Sequence, residues 1–282
     1  MQTFHTIAAL RQALTKARAA GLRIALVPTM GNLHQGHLAL VEEARRRADL
    51  VVASIFVNPI QFGPSEDFAR YPRTLDDDRA QLESTGCDVL FAPDVDTLYP
   101  NGLDGLTQVR VPKVSQGLCA ATRPGHFDGV ATVVSLLFHI VGPDVALFGN
   151  KDYQQLAVIR KLVADLHFPI EIIGVPTVRD ADGLALSSRN GYLDREQRER
   201  APLLARSLRS IAERLAQGIP AAQALAQGRD TLEAQGFVID YLELRAPDLA
   251  PLDGNARQAI LLAAAYLGTT RLLDNLAVTL PD

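Results

Sequence analysis

Short apolar runs alternate with segments of helical periodicity through about the first 175 residues of the chain. The apolar runs are mostly hydrophobic on both faces, as buried strands of parallel sheets are, and predict strands at 23–28, 50–57, 89–92, 145–148 and 170–175. The periodic segments between them predict helices at 37–47, 67–84, 129–140 and 153–166. The N-terminal stretch MQTFHTIAALRQAL also predicts an amphipathic helix.

This alternation predicts βαβ units with right-handed crossovers, and therefore a Rossmann-like, doubly wound parallel sheet of the α/β class. The composition changes after Pro176, where a polar, turn-rich loop is followed by predicted helices at 194–217 and about 220–235. Predicted strands follow at 238–244 and 259–267, with a last apolar run near 272–278. We therefore expect two domains, 1–176 and a smaller α+β domain, 177–282, which closes as a lid on a polar hinge near 176–182.

The composition narrows the class of protein. Hydrophobic residues make up 48% of the 282 residues, so a sizeable core is expected, and the net charge of −4 does not favour nucleic acid as a partner. No apolar run reaches the length of about 18 residues that a membrane span needs, and no signal-peptide pattern is present. The cysteines, Cys87 and Cys119, are far apart and fit buried thiols better than a zinc site. A soluble cytoplasmic protein is expected.

The stretch PTMGNLHQGH, residues 28–37, joins the first long strand to a helix. Helix N-termini at the carboxyl ends of parallel strands attract phosphate, and Gly36 would let a ligand approach the backbone. His34 and His37 are spaced to face one way, and imidazole N–H groups donate to phosphoryl oxygens. The local pattern favours phosphate contact, with a capped turn a close alternative and a metal site the weakest, because no third ligand has suitable spacing.

Other polar residues also follow predicted strands. Neither GxGxxG nor GxxxxGK[ST] occurs, so a nucleotide would need another cradle. Candidate ligand-binding residues are Lys151, Asp152, Gln61, Gln155, Arg123 and the SSRN turn, 187–190, although each alone is more typical of solvated or capping positions. The run 76–78, all Asp, could contact magnesium through water but is more typical of a solvated helix start. Their repeated position after strands favours one composite site.

Together these segments resemble the pantoate–β-alanine ligase (pantothenate synthetase) family, within the nucleotidyltransferases that carry a HIGH-type signature. PTMGNLHQGH is similar to that signature, and LALSSRN, 184–190, is similar to the KMSKS-type phosphate loop. The further blocks FVNPIQFGPSEDFARYPRT, RPGHFDGVATVV and FGNKDYQQL match the family in the same order. The resemblance covers essentially the whole chain.

The resemblance implies an ATP-dependent ligase. Pantoate would attack the α-phosphate of ATP to give pantoyl adenylate and pyrophosphate, and β-alanine would then displace AMP to form pantothenate. Magnesium would accompany ATP, held mainly by phosphate oxygens. A homodimer is also implied, with only these small molecules as substrates and no nucleic acid or membrane partner.

The resemblance also implies roles for individual residues. Catalytic roles fall to His34, His37, Lys151 and Arg189, the histidines stabilising the pentacovalent phosphorus. Pantoate would be bound by Gln61 and Gln155, with Arg123 as a further substrate-binding residue. The ATP site would comprise Met30, Gly31, Asn32, Leu33, His34, Gln35, Gly36, His37, Gly149, Asn150, Lys151, Asp152, Val178, Leu186, Ser187, Ser188 and Arg189. Within it, Lys151 and 187–189 would bind phosphates, Asp152 the ribose and the Val178 backbone the adenine.

Two residues depart from the family pattern, which usually has Glu at Asn150 and Met at Leu186. We interpret both as tuning of nucleotide affinity, because neither position carries direct chemistry. Two alternatives remain open: a nucleotidyltransferase of the same fold acting on a phosphate-bearing acceptor, and a nucleotide-sensing module without chemistry.

Overall fold

A computed structural model of the chain describes residues 1–64, 66–254 and 256–281. It divides into two compact units, the first formed by Met1–Asn150 with Val158–Pro176 and the second by Lys151–Ala157 with Thr177–Asp282. Ser65, within one of the motif blocks quoted above, lies outside the described residues.

The first unit contains a six-stranded sheet in which all paired strands run parallel. Its strands are β1 (Gln2–Phe4), β2 (Ile24–Thr29), β3 (Leu50–Ile55), β4 (Val89–Phe91), β5 (Val145–Gly149) and β6 (Glu171–Val175), in the order β1-β4-β3-β2-β5-β6. The chain builds outward from β2 first on one side and then on the other. The topology therefore reverses between β2 and β5, which is where open α/β sheets bind ligands. The predicted doubly wound fold is confirmed.

Both faces of this sheet are buried, which explains its strongly apolar strands. Ala25 and Val27 belong to a core cluster with Leu40 and Val41, which lie in the helix that follows β2. Ile24 and Leu26 alternate with them along β2 and are also fully buried. Because successive side chains point to opposite faces, β2 must be covered on both sides.

The helices of this part of the chain mostly lie where they were predicted. They are α1 (Ile7–Ala19), α2 (Gln35–Arg45), α3 (Leu75–Thr85), α4 (Val95–Leu98), α5 (Cys119–Thr122), α6 (His126–Val141) and α7 (Tyr153–Asp165), which contributes residues to both units. Short 3-10 helices occur at Pro59–Gln61, Phe68–Arg70 and Asn150–Asp152.

Two helix predictions were wrong at their N-terminal ends. Residues 2–4 form β1 rather than helix, paired in parallel with β4, and α1 begins only after Thr6, whose hydroxyl accepts the Ala9 N–H at 3.4 Å. The predicted helix 67–84 is a 3-10 turn followed by α3, because Tyr71 precedes Pro72 and adopts extended backbone.

The second unit has a three-stranded antiparallel sheet, ordered β7-β8-β9, and helices whose apolar residues share its core. Its elements are α8 (Arg195–Arg200), α9 (Leu203–Ala216), α10 (Ala221–Glu233), β7 (Phe237–Arg245), β8 (Gln258–Leu267) and β9 (Thr270–Thr279), preceded by a 3-10 helix at Ser188–Tyr192. The predicted single helix 194–217 is divided at Pro202, which has no N–H to continue the hydrogen-bond ladder. Among the described residues, no helix is both long and apolar enough to cross a membrane.

Candidate active site

Both histidines of PTMGNLHQGH cap helix α2 at the carboxyl end of β2. His34 is the N-cap residue, and its Nδ1 accepts the Gly36 backbone N–H at 3.1 Å. The His34 backbone N–H in turn donates to Nδ1 of His37 at 3.3 Å. The two rings lie 4.1 Å apart between centroids. This is a reciprocal capping box in which imidazoles replace the usual hydroxyl and carboxylate.

The capping box determines which ring nitrogen carries the proton. A backbone N–H can only donate, so Nδ1 of each ring must accept, and the neutral ring then carries its proton on Nε2. Each histidine thus has an N–H donor on the nitrogen that does not cap the helix. The capped-turn and phosphate-binding interpretations are therefore compatible, since the cap itself prepares the donors. Among the described residues, no group of three His, Cys, Asp or Glu side chains is placed to bind a metal.

The turn before this cap is held by Asp78, which is 1% exposed although a solvated acidic helix start was expected. Its Oδ1 accepts the Leu33 N–H at 2.7 Å, and its Oδ2 accepts the Asn32 N–H at 2.9 Å. Gly31 has a φ of +81°, and a Cβ there would lie 3.0 Å from Oδ2 of Asp78. The glycine therefore permits both the turn and the close approach of the carboxylate.

Gln61 lies in a buried polar chain after β3. Tyr99 donates its hydroxyl to Oδ1 of Asn58 at 2.7 Å, and Asn58 Nδ2 donates to Gln61 Oε1 at 3.0 Å. Gln61 Nε2 reaches the Met30 sulfur at 3.2 Å, which brings two predicted site residues together. Burial raises the pKa of Tyr99 above its ordinary value, so its hydroxyl keeps the proton it donates.

The start of helix α6 supports the same loop from the other side. The His126 ring donates from Nδ1 to the Gln61 carbonyl at 2.9 Å, because its Nε2 accepts from Arg123 at 3.0 Å. Arg123 also forms a bidentate ion pair with Glu66, at 2.7 and 2.8 Å. A Cβ on Gly129 would lie 2.6 Å from the Ile60 carbonyl oxygen, so only glycine allows this backbone contact.

In the second unit, a short hairpin anchored to β9 precedes the phosphate-loop candidates 187–189. The Leu186 N–H donates to the Val178 carbonyl at 3.0 Å, which places these two predicted nucleotide-binding residues side by side. Arg179 donates to both carboxylate oxygens of the buried Asp274, at 2.7 and 2.8 Å, and also to the Gly183 carbonyl. The ion pair with Asp274 raises the pKa of Arg179.

The 3-10 helix that follows this hairpin, Ser188–Tyr192, is capped by Ser187, whose hydroxyl accepts the Arg189 N–H at 3.3 Å. Asn275 donates to the Lys151 carbonyl at 2.8 Å, which fixes the main chain of that lysine. A small cavity is lined by Lys151, Leu184, Ala185, Ser187, Asn190, Leu204, Ala205 and 272–274. Lys151, Ser187 and Asn190 therefore share one cavity within the second unit.

The predicted residues thus fall into two local groups. The first unit holds Met30–His37, Gln61, Arg123, Gly149 and Asn150, and the second holds Lys151, Asp152, Gln155, Val178 and Leu186–Arg189. The sequence interpretation missed Asn58, Tyr99, His126 and Asp274, and it considered Asp78 only as a possible water-mediated contact to magnesium. All five are buried and support these groups. Asn58 and His126 lie inside quoted motif blocks, which was the available signal.

Both cysteines are buried, as predicted. Burial raises the pKa of the Cys87 thiol to about 11, so it stays protonated and unreactive at neutral pH.

Comparison with known proteins identifies the family of this chain. The sequence model of the family described as pantoate-beta-alanine ligase matches residues 2–277. A pantothenate synthetase of Chromohalobacter salexigens is 64% identical over 282 residues and is covered completely, as is this chain. The pantothenate synthetase of Pseudomonas paraeruginosa is 59% identical, covering 99% of this chain and 100% of the relative.

Solved structures show the same similarity. A crystal structure of pantothenate synthetase from Thermus thermophilus has a TM-score of 0.92 and 51% identity, covering 98% of this chain and 99% of the other. The pantoate-beta-alanine ligase of Francisella tularensis, crystallised with β-γ ATP and β-alanine, has a TM-score of 0.82 and 33% identity over 98% of this chain and 97% of the other.

Proposed function

Because the chain belongs to the pantoate–β-alanine ligase family, we propose that it is an AMP-forming ligase that joins pantoate to β-alanine at the expense of ATP. In the first step, a pantoate carboxylate oxygen bonds to the α-phosphorus and the bond to pyrophosphate breaks. In the second step, the neutral amine of β-alanine attacks the acyl carbon of pantoyl adenylate. The acyl–phosphate bond breaks, AMP leaves, and the amine loses a proton as the amide forms.

The observation that carries this proposal is the histidine capping box at the topological switch point. The α-phosphate gains charge on its oxygens as the carboxylate attacks, so donors oriented in advance lower the barrier. His34 and His37 each have a proton on Nε2, and their Nδ1 atoms are held by backbone bonds of 3.1 and 3.3 Å. The rings are therefore held in place, each with Nε2 as the donor that we assign to the phosphoryl oxygens. The dipole of α2, whose N-terminal end lies here, adds to the positive potential.

Pantoate presents a carboxylate and hydroxyl groups, and neutral amides suit this mixture of acceptors and donors. Gln61 is 8% exposed and is held by bonds to both its side chain and its carbonyl. Its contact with the Met30 sulfur is weak, and a substrate oxygen is a better acceptor for the same N–H. These properties support Gln61 as a pantoate ligand, with Gln155 as the second amide. Arg123, held by Glu66, is proposed mainly to keep His126 and Gln61 in place.

We assign binding of the remaining phosphates to Lys151, Ser187, Ser188 and Arg189. Asp152 binds the ribose, and the Val178 backbone binds the adenine. The cavity shared by Lys151 and Ser187, and the pairing of Val178 with Leu186, support this assignment. Magnesium is proposed to arrive as part of the substrate, MgATP. A protein cage for it does not fit the described residues, because Asp78 uses both carboxylate oxygens to bind backbone N–H groups.

The decisive experiment measures AMP release with MgATP, pantoate and β-alanine, omitting each in turn. Turnover that requires all of them supports the proposal. Pyrophosphate–ATP exchange should occur without β-alanine but require pantoate. Exchange that instead depends on a phosphate-bearing acceptor would favour a nucleotidyltransferase, and nucleotide binding without turnover would favour a sensor.

Two substitutions of His37 separate its cap from its chemistry. Glutamate is a usual capping-box residue at this position of a helix and has no N–H donor, so His37→Glu preserves the cap and removes the donor, whereas His37→Ala removes both. We expect both variants to lose pyrophosphate–ATP exchange by at least about 100-fold, the scale of a lost transition-state donor, while only His37→Ala loses thermal stability. Full exchange activity in His37→Ala would exclude a catalytic role.

Three further expectations remain predictions: that residues 177–282 act as a lid, that the protein is a homodimer, and that it is cytoplasmic. Solution scattering with and without ATP plus pantoate tests the lid, since identical profiles would count against closure. Sedimentation velocity tests the dimer, and fractionation of cells tests the location.

A further inference from the structure

Tyr99 is a buried residue with no role in the reaction described above. It follows helix α4, and its backbone N–H donates to the Val95 carbonyl at 2.8 Å. Its ring lies 6.0 Å from that of Phe56, and the residue is 2% exposed. Such packing fixes the position of the hydroxyl, which donates to Oδ1 of Asn58 at 2.7 Å.

The amide of Asn58 can adopt only one orientation in this environment. Its Nδ2 lies 3.2 Å from the Gly129 carbonyl oxygen, which can only accept a hydrogen bond. A reversed Asn58 amide would place its oxygen against the Gly129 carbonyl oxygen and against Oε1 of Gln61, with no hydrogen between them. The Asn58 oxygen must therefore face Tyr99, and its remaining amide proton must point to Gln61.

The orientation of the Asn58 amide determines that of the Gln61 amide. Its Oε1 accepts from Asn58 at 3.0 Å, so the other end of the amide, Nε2, is the end that points toward Met30. We propose that Tyr99 is a positioning residue for pantoate binding: its hydroxyl holds the Asn58 oxygen and, together with the Gly129 carbonyl, keeps the Asn58–Gln61 pair in the orientation in which Gln61 presents its N–H donors to the substrate. The inference rests on the proposed role of Gln61 as a pantoate ligand.

The orientation of the Gln61 amide matters because pantoate has a negatively charged carboxylate. A carboxylate or hydroxyl oxygen of pantoate would be attracted by the amide N–H groups and repelled by the amide oxygen. Without the Tyr99 hydroxyl, the buried Asn58 oxygen loses its donor, and the amide pair is held by the Gly129 carbonyl alone, so Gln61 is positioned less firmly. The loss of the hydroxyl should therefore weaken pantoate binding and leave ATP binding nearly unchanged.

A double-mutant cycle with Tyr99→Phe and Gln61→Ala tests this coupling by pyrophosphate–ATP exchange at varied pantoate. We expect Tyr99→Phe alone to raise the pantoate KM about tenfold, the scale of one buried hydrogen bond, and to leave the ATP KM within about twofold. In the Gln61→Ala background, Tyr99→Phe should raise the pantoate KM little further, because the group it orients is already gone. Tyr241→Phe is the matched control, since Tyr241 is 6% exposed and lies in the second unit.

The outcomes separate the two ideas. If Gln61→Ala leaves the pantoate KM unchanged, the proposed role of Gln61 is wrong. If Gln61→Ala raises the pantoate KM, Gln61 binds pantoate. If Tyr99→Phe then leaves the pantoate KM unchanged, or its effect on the KM adds fully to that of Gln61→Ala, the proposed role of Tyr99 is wrong. An equal rise of the pantoate KM in Tyr99→Phe and in the Tyr241→Phe control would also overturn the proposed role of Tyr99.

A second variant decides the polarity even if Tyr99→Phe does not fold. Gln61→Glu keeps an oxygen that can accept from Asn58 and replaces the donor end with a second carboxylate oxygen. We expect its pantoate KM to rise at least as much as that of Gln61→Ala. A wild-type pantoate KM in Gln61→Glu would show that the donor end is not used, and would refute the proposal.

Discussion

Asp78→Asn should loosen the turn before His34 and His37, the histidines that we propose bind ATP. The native carboxylate accepts from Leu33 N–H at 2.7 Å, from Asn32 N–H at 2.9 Å and from the Thr74 hydroxyl at 3.2 Å. An amide of the same shape has only one oxygen, so its NH2 group must face a backbone donor. One buried N–H then lacks an acceptor, and the remaining hydrogen bonds lose the negative charge.

The expected cost follows from these contacts. A hydrogen bond to a charged group contributes about 1.5–3 kcal/mol, and a buried donor left unsatisfied costs a similar amount, so we expect a loss of about 2–4 kcal/mol. For a unit of this size, each kcal/mol lowers Tm by about 2–4 °C, which predicts a fall of about 5–15 °C. The ATP KM should rise as well, because a smaller fraction of molecules has the binding-competent turn.

Differential scanning calorimetry of the ligand-free protein and ATP titration of the exchange reaction measure both effects. Asp76→Ala is the control, since Asp76 is an exposed carboxylate in the same first turn of α3. An unchanged Tm in Asp78→Asn would refute the reasoning. Activity that falls with an unchanged Tm and recovers with added magnesium would instead identify Asp78 as a ligand of the metal.

Three further substitutions test other contacts. Gly129→Ala should raise the pantoate KM and lower Tm, because its Cβ would lie 2.7 Å from the Gln61 Cα, and a wild-type pantoate KM would contradict this. Asp274→Asn should raise the ATP KM, because it weakens the bidentate pair that anchors Arg179, and an unchanged value in a folded variant would exclude an anchoring role. Asn150→Glu should change the ATP KM by adding a negative charge beside Lys151, which we propose binds phosphate, and an unaltered ATP KM would remove the case for tuning.

Much of the fold could be predicted because its main determinants are local. Strands such as β2 and β3 are apolar on both faces, which is typical of a parallel sheet covered by helices. The errors occurred where a distant partner or a proline decides the outcome. β1 forms because residues 2–4 pair with β4, about 85 residues away in sequence, and no periodicity reveals such a partner. The break at Pro202 was readable, since proline cannot continue a helix.

The candidate site was likewise predictable only in part from the sequence. Polar residues at strand ends, such as His37 and Gln61, could be identified because the carboxyl edge of a parallel sheet is where ligands bind. Their supports could not, because an aspartate in an acidic run or a tyrosine before a proline looks like a surface residue. The bond from Tyr99 to Asn58 spans 41 positions, and that from Asp78 to Leu33 spans 45. Such pairs form only when the strands bring their loops to one edge.

In the first unit, the main chain determines how the polar side chains are protonated and oriented. Backbone N–H groups make both His34 and His37 accept at Nδ1, and the Gly129 carbonyl orients the Asn58 amide. The Gln61 carbonyl similarly requires a donor from His126. A peptide group cannot titrate or rotate as a side chain does, so the donor pattern depends on the fold rather than on the protonation of neighbouring residues. Substitutions that move this backbone should therefore reduce activity as strongly as those that remove the polar side chains themselves.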